Sequence, residues 1–332
     1  MIAITGGGTG GHLAIANAIK EELNKRGIKP IFIGSTYGQD KEWFSYDKGF
    51  SEKYFFDTSG VVNKKGLKKV TSLNTILKHT IKTKNIFKKH NIKAVFSVGG
   101  YSAAPASFGA VIFKKALFIH EQNAYMGKLN KILKPFSKRV FNTFLYNDPY
   151  PIKDIFFKKA RLRKEIKTII FLGGSQGAKA INDFAFEVAK TKKYKIIHQT
   201  GKLDFDRCKK FYTENNLDVD YFAFSKNLVE KMHQADFAIS RAGASTLFEL
   251  SANQLPTLFI PYPYAAGNHQ YYNAKFLADK NLAFLKLQNE LNLEVFDEIK
   301  NIDIISQKLK DVNSINGAKI IVDEILKEID DN

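Results

Sequence analysis

A strand, a glycine loop and a helix follow one another twice in this chain, about half its length apart. IAITGGGTGGHLAIANAIKEEL begins at Ile2, and TIIFLGGSQGAKAINDFAFEVAK begins at Thr168. Other short apolar runs are typical of buried parallel strands: PIFIG, AVFSVGG and ALFIH in the first half, and YKIIHQT, VDYFAF, ADFAIS and PTLFIP in the second. This alternation predicts an α/β fold with two Rossmann-like, doubly wound parallel sheets.

The connection between the halves lies between Phe144 and Lys167, where Pro149 and Pro151 disfavour a helix. A length of 332 residues suits two domains. We expect an N-terminal domain at residues 1–152 and a C-terminal domain at 153–332, with the C-terminal helix a candidate to pack back on the first. Two sheets that face each other are expected to leave a cleft at the carboxyl ends of their strands.

The positive charge is concentrated in the first half of the chain. Residues 1–150 contain 24 Lys and Arg against 9 Asp and Glu, whereas residues 151–332 contain 27 against 24. A lysine-rich composition alone does not produce that asymmetry. A basic face indicates an anionic partner, which is nucleic acid, a membrane surface or a substrate.

Three features limit where the chain works. It has no run of 18 apolar residues, as a membrane-spanning helix requires. Its N-terminus enters a strand without the pattern of a signal peptide. The single cysteine, Cys208, excludes an internal disulfide and a thiolate metal cluster. We therefore expect a cytoplasmic protein.

The first glycine loop, GGGTGGH, matches the dinucleotide fingerprint through Gly6, Gly8 and Gly11. A nicotinamide enzyme also needs an acid at the end of the second strand, and here that strand ends in IFIGSTYG, with Asp40 too late. The nicotinamide interpretation is therefore disfavoured. A close approach to a ligand and an anion at the helix start remain open, as does a tight turn that only packs the helix on the strand.

Further polar residues follow strands. His12 is either a general base, with an ordinary pKa of about 6.5, or a residue that caps its helix or bonds the backbone. GGSQGA lacks the Gly-Lys-Ser/Thr of a nucleotide triphosphatase, yet its amides can hold a phosphate. In SRAGASTLFEL, Thr246 and Glu249 form either a capping box or part of a diphosphate and ribose site. The segments HEQNAYMGKLN and PYPYAAGNHQYYNAKF also place polar groups after apolar strands.

Residues 73–89 form an amphipathic helix in this interpretation. Leu73, Ile76, Leu77 and Ile81 share one face, and the lysines lie off it. Core packing is the simpler explanation of that face. The alternative is a helix that inserts its apolar face into a bilayer, with the lysines on anionic head groups.

Together these motifs resemble the MurG family of peptidoglycan N-acetylglucosaminyltransferases. GGGTGGH, SVGGYSAAPASF, HEQN, LGGSQGA, SRAGASTLFEL and PYPYAAGNHQYYNA occur in the family's order and cover about residues 1–285. The resemblance implies a GT-B fold and an inverting hexosyltransferase without a built-in metal or a cofactor. It implies transfer of GlcNAc from UDP-GlcNAc to the MurNAc C4 hydroxyl of lipid I, giving lipid II, at the cytoplasmic face of the bacterial plasma membrane. The implied partners are the two substrates and an anionic membrane surface, and not nucleic acid.

The resemblance also implies roles for particular residues. His12 is the implied base, with Glu121 in support. The implied acceptor diphosphate contacts are Gly99, Gly100, Tyr101 and Ser102. Among the implied donor contacts, Glu249 binds the ribose, Gln270 the sugar and the backbone near Ser225 the uracil. The full set of implied donor contacts is Thr9, Gly10, Gly11, Asn123, Ser175, Gln176, Ser225, Arg241, Ala244, Ser245, Thr246, Glu249 and Gln270.

The chain departs from the family pattern at two points. Lys153 stands where members often have an arginine near the donor, and lysine offers a point charge instead of a bidentate fork. Gly267 and Asn268 stand where many members have an acid before the His-Gln pair. Two other functions remain as alternatives: a GT-B transferase with a different sugar or acceptor, and a nucleic-acid-binding protein, which does not explain the two glycine loops.

Overall fold

The computed structural model describes residues 1–60, 65–174, 176–225 and 227–330. The chain forms two compact units. The first contains Met1–Ile152 together with Ile315–Asn332, and the second contains Lys153–Ser314. Each unit is built on one six-stranded parallel sheet, and the doubly wound α/β prediction is confirmed.

The first unit has the strand order β3-β2-β1-β4-β5-β6. Its strands are β1 Ile2–Thr5, β2 Ile31–Ser35, β3 Lys53–Phe56, β4 Ala94–Ser97, β5 Ala116–His120 and β6 Arg139–Phe141. Its first six helices are α1 Gly10–Lys25, α2 Asp40–Phe44, α3 Gly66–Lys89, α4 Ala104–Ile112, α5 Lys128–Leu133 and α6 Thr143–Tyr146. The central strands are fully buried, as their uninterrupted apolar sequences predict.

The second unit repeats this topology with the order β12-β11-β10-β7-β8-β9. Its strands are β7 Thr168–Leu172, β8 Lys195–Gln199, β9 Val219–Phe222, β10 Phe237–Ser240, β11 Thr257–Phe259 and β12 Phe284–Leu285. Its helices are α7 Asp154–Lys158, α8 Lys179–Lys190, α9 Phe205–Glu214, α10 Leu228–Gln234, α11 Ala244–Ala252, α12 His269–Ala278, α13 Val295–Glu298 and α14 Ile302–Leu309.

The last helix, α15 Gly317–Asp330, packs on α1 of the first unit. Arg26 Nη1 donates to Asp323 Oδ1 at 2.5 Å. The N–H of Gly317 donates to the Tyr150 carbonyl at 3.1 Å, and a Cβ atom on Gly317 would lie 1.8 Å from the carbonyl oxygen of Pro149. Glycine is therefore required where this helix begins.

Both sheets change direction beside their first strand. The switch lies between β1 and β4 in the first unit and between β7 and β10 in the second. In open sheets of this kind, ligands bind beyond the carboxyl ends of the strands at the switch point. The loops GGGTGGH and GGSQGA follow β1 and β7, so each lies at the switch point of its own sheet.

The end of α1 shows how local sequence fixes an element boundary. Gly27 has a φ of +75°. Its N–H donates to Asn24, and the N–H of Ile28 donates to Leu23, both at 3.0 Å. This is the pairing of a Schellman motif, and it uses Gly27 at the position that the sequence predicts.

Candidate active site

The first glycine loop packs directly against the turn that follows β4. Gly6 and Gly8 have φ values of +115° and +82°. A Cβ atom on Gly6 would lie 2.5 Å from the Gly99 carbonyl oxygen, and one on Gly8 would lie 2.7 Å from Cε1 of Tyr101. These positions therefore require glycine both for the backbone conformation and for the available space.

His12 is half-buried in the first turn of α1, and the N-cap of that helix is Thr9. Thr9 Oγ1 lies 2.9 Å from His12 Nδ1. Nε2 lies 3.1 Å from Gln122 Nε2 and would lie 3.6 Å from a Cβ atom on Gly99. If Nδ1–H donates to Thr9, Nε2 carries the lone pair and can accept a proton. His12 does not occupy the capping position of α1, so it does not cap this helix.

Glu121 organises the loop that follows β5. Its side chain is buried, with 3% exposure of the residue. The carboxylate accepts the N–H of Asn123 at 3.0 Å, the N–H of Gly127 at 2.8 Å and the side-chain amide of Asn130 at 2.9 Å. These bonds fix the backbone at Asn123, one of the implied donor contacts.

Two residues of HEQN were given no role by the sequence analysis. Gln122 contacts His12 through its amide nitrogen. His120 is fully buried at the end of β5, and burial, with His12 as a second cause, lowers its pKa to about 3. It is therefore an uncharged ring at neutral pH. Its position at the carboxyl end of a strand was the sequence signal that could have identified His120 as a residue near the site.

The turn after β4 contains the four implied acceptor contacts. Gly99 and Gly100 have φ values of +82° and +77°. Tyr101 is half-buried, and its pKa is raised, first by burial and then by the charge of Asp40. Ser102 is completely buried, and its hydroxyl faces Asp40.

In the second unit, the glycine loop is shaped by contacts with neighbouring backbone. A Cβ atom on Gly173 would lie 2.7 Å from the nitrogen of Ala178, and one on Gly177, whose φ is +92°, would lie 2.4 Å from the Thr200 carbonyl oxygen. Gln176 is exposed. Ser175 lies outside the described residues.

The start of α11 follows β10 at the switch point. Its N-cap is Gly243, which provides no side-chain cap. Ala244, Ser245 and Thr246 form the first turn, so Thr246 is the third helical residue and the capping-box interpretation is wrong. An N-terminus of this kind favours an anionic ligand through its amides and its dipole.

Glu249 lies one turn further along α11 and is half-buried. Burial raises its pKa to about 8, and the opposing influence is the charge of Lys153. Lys153 is the N-cap residue of α7, which packs on α11. The lysine therefore stands beside an implied donor residue.

Arg241 and Gln270 support the loop that follows β11. Arg241 donates to the carbonyls of Ile260 and Pro261 at 3.1 and 3.0 Å. Its pKa is lowered by burial. Gln270 Oε1 accepts the N–H of Tyr262 at 3.0 Å. Both side chains hold backbone here, a role that the sequence analysis did not anticipate.

The remaining implied donor residues lie in loops or at the start of α1. Gly10 and Gly11 are half-buried in its first turn. Ser225 is half-buried, and its hydroxyl accepts the N–H of Asn227 at 3.1 Å. Over the described parts of the chain, no group of three or more His, Cys, Asp or Glu residues is placed to hold a metal ion.

Helix α3 exposes most of the apolar face that the sequence predicted. Ile76 is buried, but Leu73, Leu77 and Ile81 are 49%, 57% and 61% exposed. The core-packing explanation therefore holds only for Ile76. Leu67 and Val70 extend the exposed row toward the start of the helix. No helix within the described ranges has both the length and the apolar character needed to cross a membrane.

Two Rossmann-type units with glycine loops at their switch points define the class of two-domain GT-B glycosyltransferases. Residues 2–142 match the glycosyltransferase family 28 N-terminal domain, and residues 168–326 match its C-terminal domain. The chain belongs to this family and, within it, to the MurG family of N-acetylglucosaminyltransferases.

Curated relatives match over nearly the full chain. A Campylobacter fetus protein is 56% identical, and the match covers 99% of this chain and 100% of the relative. A protein of Nitratiruptor sp. is 50% identical, with 99% of both chains covered. Both are named UDP-N-acetylglucosamine–N-acetylmuramyl-(pentapeptide) pyrophosphoryl-undecaprenol N-acetylglucosamine transferase.

Solved structures agree with this assignment. The crystal structure of Acinetobacter baumannii MurG matches with a TM-score of 0.77 and 27% identity, covering 98% of this chain and 99% of that one. The glycosyltransferase SsfS6 of Streptomyces sp. SF2575, complexed with thymidine diphosphate, matches with a TM-score of 0.65 at 10% identity, covering 98% of this chain and 99% of that one. The second likeness shows the fold alone.

Proposed function

We propose that this chain transfers GlcNAc from UDP-GlcNAc to the C4 hydroxyl of the MurNAc unit of lipid I, with inversion, and so forms lipid II for peptidoglycan synthesis. The observation that carries the proposal is the 56% identity with the Campylobacter fetus transferase over almost all of both chains. A GT-B transferase with a different sugar or acceptor has no comparable support.

The second unit is suited to hold the donor. The amides at the start of α11, where Gly243 supplies no side-chain cap, can bind the diphosphate, and the helix dipole can stabilise the negative charge that grows on UDP as it leaves. Glu249, whose pKa is about 8, can both donate to and accept from the ribose hydroxyls. The other proposed donor contacts of this unit are Ser175, Gln176, Ser225, Arg241 and Gln270.

The first unit is suited to activate the acceptor. His12 Nε2, with Thr9 at the other ring nitrogen, can take the proton of the C4 hydroxyl as the oxygen attacks the anomeric carbon. Gly99 and Gly100 form a turn without side chains that permits close approach of the acceptor diphosphate. Glu121 acts by holding the loop of Asn123.

The exposed row on α3 supports binding to a membrane surface. Leu67, Val70, Leu73, Leu77 and Ile81, here called the α3 apolar row, are all exposed. Lys78, Lys82 and Lys84 are exposed on the same helix. An apolar row with lysines around it is the pattern of a helix that lies in the interface of an anionic bilayer.

Helix α4, which packs on α3, also exposes an apolar side chain. It packs closely on α3, since a Cβ atom on Gly109 would lie 2.1 Å from Thr83 Oγ1. Ile112, at the end of α4, is 57% exposed. The proposed location is therefore peripheral, at the cytoplasmic face of the plasma membrane, where the lipid-linked acceptor is held.

A panel of UDP-sugars tests the donor assignment. Titration calorimetry is expected to show binding of UDP-GlcNAc, weaker binding of UDP-glucose and UDP-galactose, and loss of that preference in Gln270→Ala. Equal affinity for all UDP-sugars, with UDP itself bound, would leave the fold assignment intact and contradict GlcNAc as the donor sugar.

A further inference from the structure

Asp40 is a buried carboxylate that the proposed chemistry does not use. It is the first residue of α2, shortly after β2, and its exposure is 0%. An acid in this position comes too late to bind the ribose of a nicotinamide cofactor. A fully buried carboxylate is costly unless the protein supplies hydrogen-bond donors for it.

Two backbone donors from separate segments of the first unit bind Asp40. Oδ1 accepts the N–H of Gly8 at 2.5 Å, and Oδ2 accepts the N–H of Ser35 at 2.8 Å. Ser102, in the turn after β4, lies near the same carboxylate, but its hydroxyl has no hydrogen-bond partner among the described residues. Asp40 therefore joins the first glycine loop to the end of β2, beside the turn after β4.

The carboxylate is closely packed against two glycines. A Cβ atom on Gly7 would lie 2.5 Å from Oδ1, and one on Gly34 would lie 2.8 Å from Oδ2. The glycines at these two places make room for the acid. Tyr101 lies against the other side of the loop, since its ring would meet a Cβ atom on Gly8 at 2.7 Å.

This arrangement makes the first loop less suited to bind an anion than the start of α11. The N–H of Gly8 is bound to a carboxylate, so it is unavailable to a phosphate. The loop is thereby suited to a neutral sugar near His12.

We propose that Asp40 is a positioning residue for the transfer reaction, which fixes the loop of His12 and the turn of Tyr101 relative to each other. This inference rests on the proposed function. Asp40 acts through these two segments, and a change at Asp40 is expected to lower kcat while the second unit binds UDP normally.

Asp40→Asn is the direct test, because one of the two backbone N–H groups then faces an NH2 group. We expect kcat to fall at least about tenfold, with the Kd for UDP within about twofold of the wild type. Asp47→Asn is the matched control. Asp47 accepts the N–H of Gly49 at 2.7 Å and the ammonium of Lys20 at 2.5 Å, and neither bond involves the glycine loop or the turn. Its kcat is expected to stay within about threefold.

The conservative variant Asp40→Glu provides a second readout. It keeps the carboxylate but shifts its oxygens by one methylene group relative to the N–H groups of Gly8 and Ser35. We expect its kcat to lie between those of the wild type and Asp40→Asn, with the Kd for UDP unchanged.

Four outcomes decide the matter. A wild type without transfer activity refutes the proposed function itself. With an active wild type, an Asp40→Asn kcat within about threefold of normal overturns the inference. The inference is also overturned if Asp40→Asn and Asp47→Asn lose the same kcat at the same drop in Tm. If Asp40→Asn does not fold, a kcat of Asp40→Glu within about threefold of the wild type overturns it.

Discussion

Thr9 Oγ1 lies 2.9 Å from Nδ1 of His12, within a single turn of α1. This contact can hold the imidazole in the tautomer whose Nε2 accepts a proton. Thr9→Val keeps the side-chain shape and removes the hydroxyl. We expect kcat to fall about tenfold, because the hydrogen bond that selects the tautomer is lost. Steady-state kinetics check this, and an unchanged kcat would contradict it.

Removal of the imidazole tests the base itself. His12→Ala is expected to lower kcat by about 10² to 10⁴ while the Kd for UDP stays the same. His233→Ala serves as the control, since His233 Nδ1 lies 2.8 Å from the Lys159 carbonyl oxygen, within the second unit. A parallel loss of UDP binding in His12→Ala would mean that His12 shapes the donor site instead.

Glu249 makes the stability of the protein depend on pH. Burial raises its pKa from an ordinary 4.5 to about 8, so the folded state favours the protonated form. This contribution is complete below the pKa of the unfolded chain and is lost as the pH rises toward 8. We expect the Tm of the wild type to decline between these pH values more steeply than that of Glu249→Gln. Glu187→Gln, at an exposed position on α8, should follow the wild type. Parallel curves for Glu249→Gln and the wild type would show that Glu249 titrates normally.

Charged substitutions in the α3 apolar row test whether it contacts the membrane. Leu77→Glu combined with Ile81→Glu is expected to weaken binding to vesicles that contain anionic lipid by about tenfold or more, with an unchanged Tm, because both side chains are exposed. Ile76→Glu is the contrasting variant and should lower the Tm, since Ile76 is buried. Leu203→Glu, at an exposed leucine of the second unit, should leave vesicle binding intact. Undiminished binding by the double variant would exclude this row as the membrane contact.

Gly27 and Gly8 have similar φ values, so alanine substitutions at the two positions separate the cost of the backbone conformation from the cost of a steric contact. Gly27→Ala, at a φ of +75° with no atom within 4 Å of the added carbon, is expected to cost about 1 kcal/mol. Gly8→Ala, at +82°, also brings the new carbon to 2.7 Å from the Tyr101 ring. It should cost more in urea unfolding and should abolish transfer. Equal costs for the two variants would mean that Tyr101 moves aside freely.

The sequence predicted the inner strands and both glycine loops, because a fully buried parallel strand is a continuous apolar run. It missed β3, β6 and β12, which lie at edges of the two sheets and are short or half-buried. Periodicity also placed Leu73, Leu77 and Ile81 on one face of α3, but it does not show whether a neighbour covers that face.

The contacts that hold the candidate site in place were harder to predict from the sequence. The roles of Asp40 and Gln122 depend on contacts between segments that lie far apart in the chain. No local pattern records such contacts. The capping-box alternative failed for a related reason, since Thr246 and Glu249 have its spacing but lie inside the helix that begins after Gly243.

The central claim is the transfer of GlcNAc to a lipid-linked MurNAc acceptor. The most direct measurement incubates the purified chain with UDP-GlcNAc and a lipid I analogue, and follows both UDP release and the disaccharide product by mass spectrometry. We predict stoichiometric UDP and a product heavier by one GlcNAc unit, with neither formed when the acceptor is omitted. A folded protein that binds UDP-GlcNAc but forms no disaccharide with this acceptor would contradict the account.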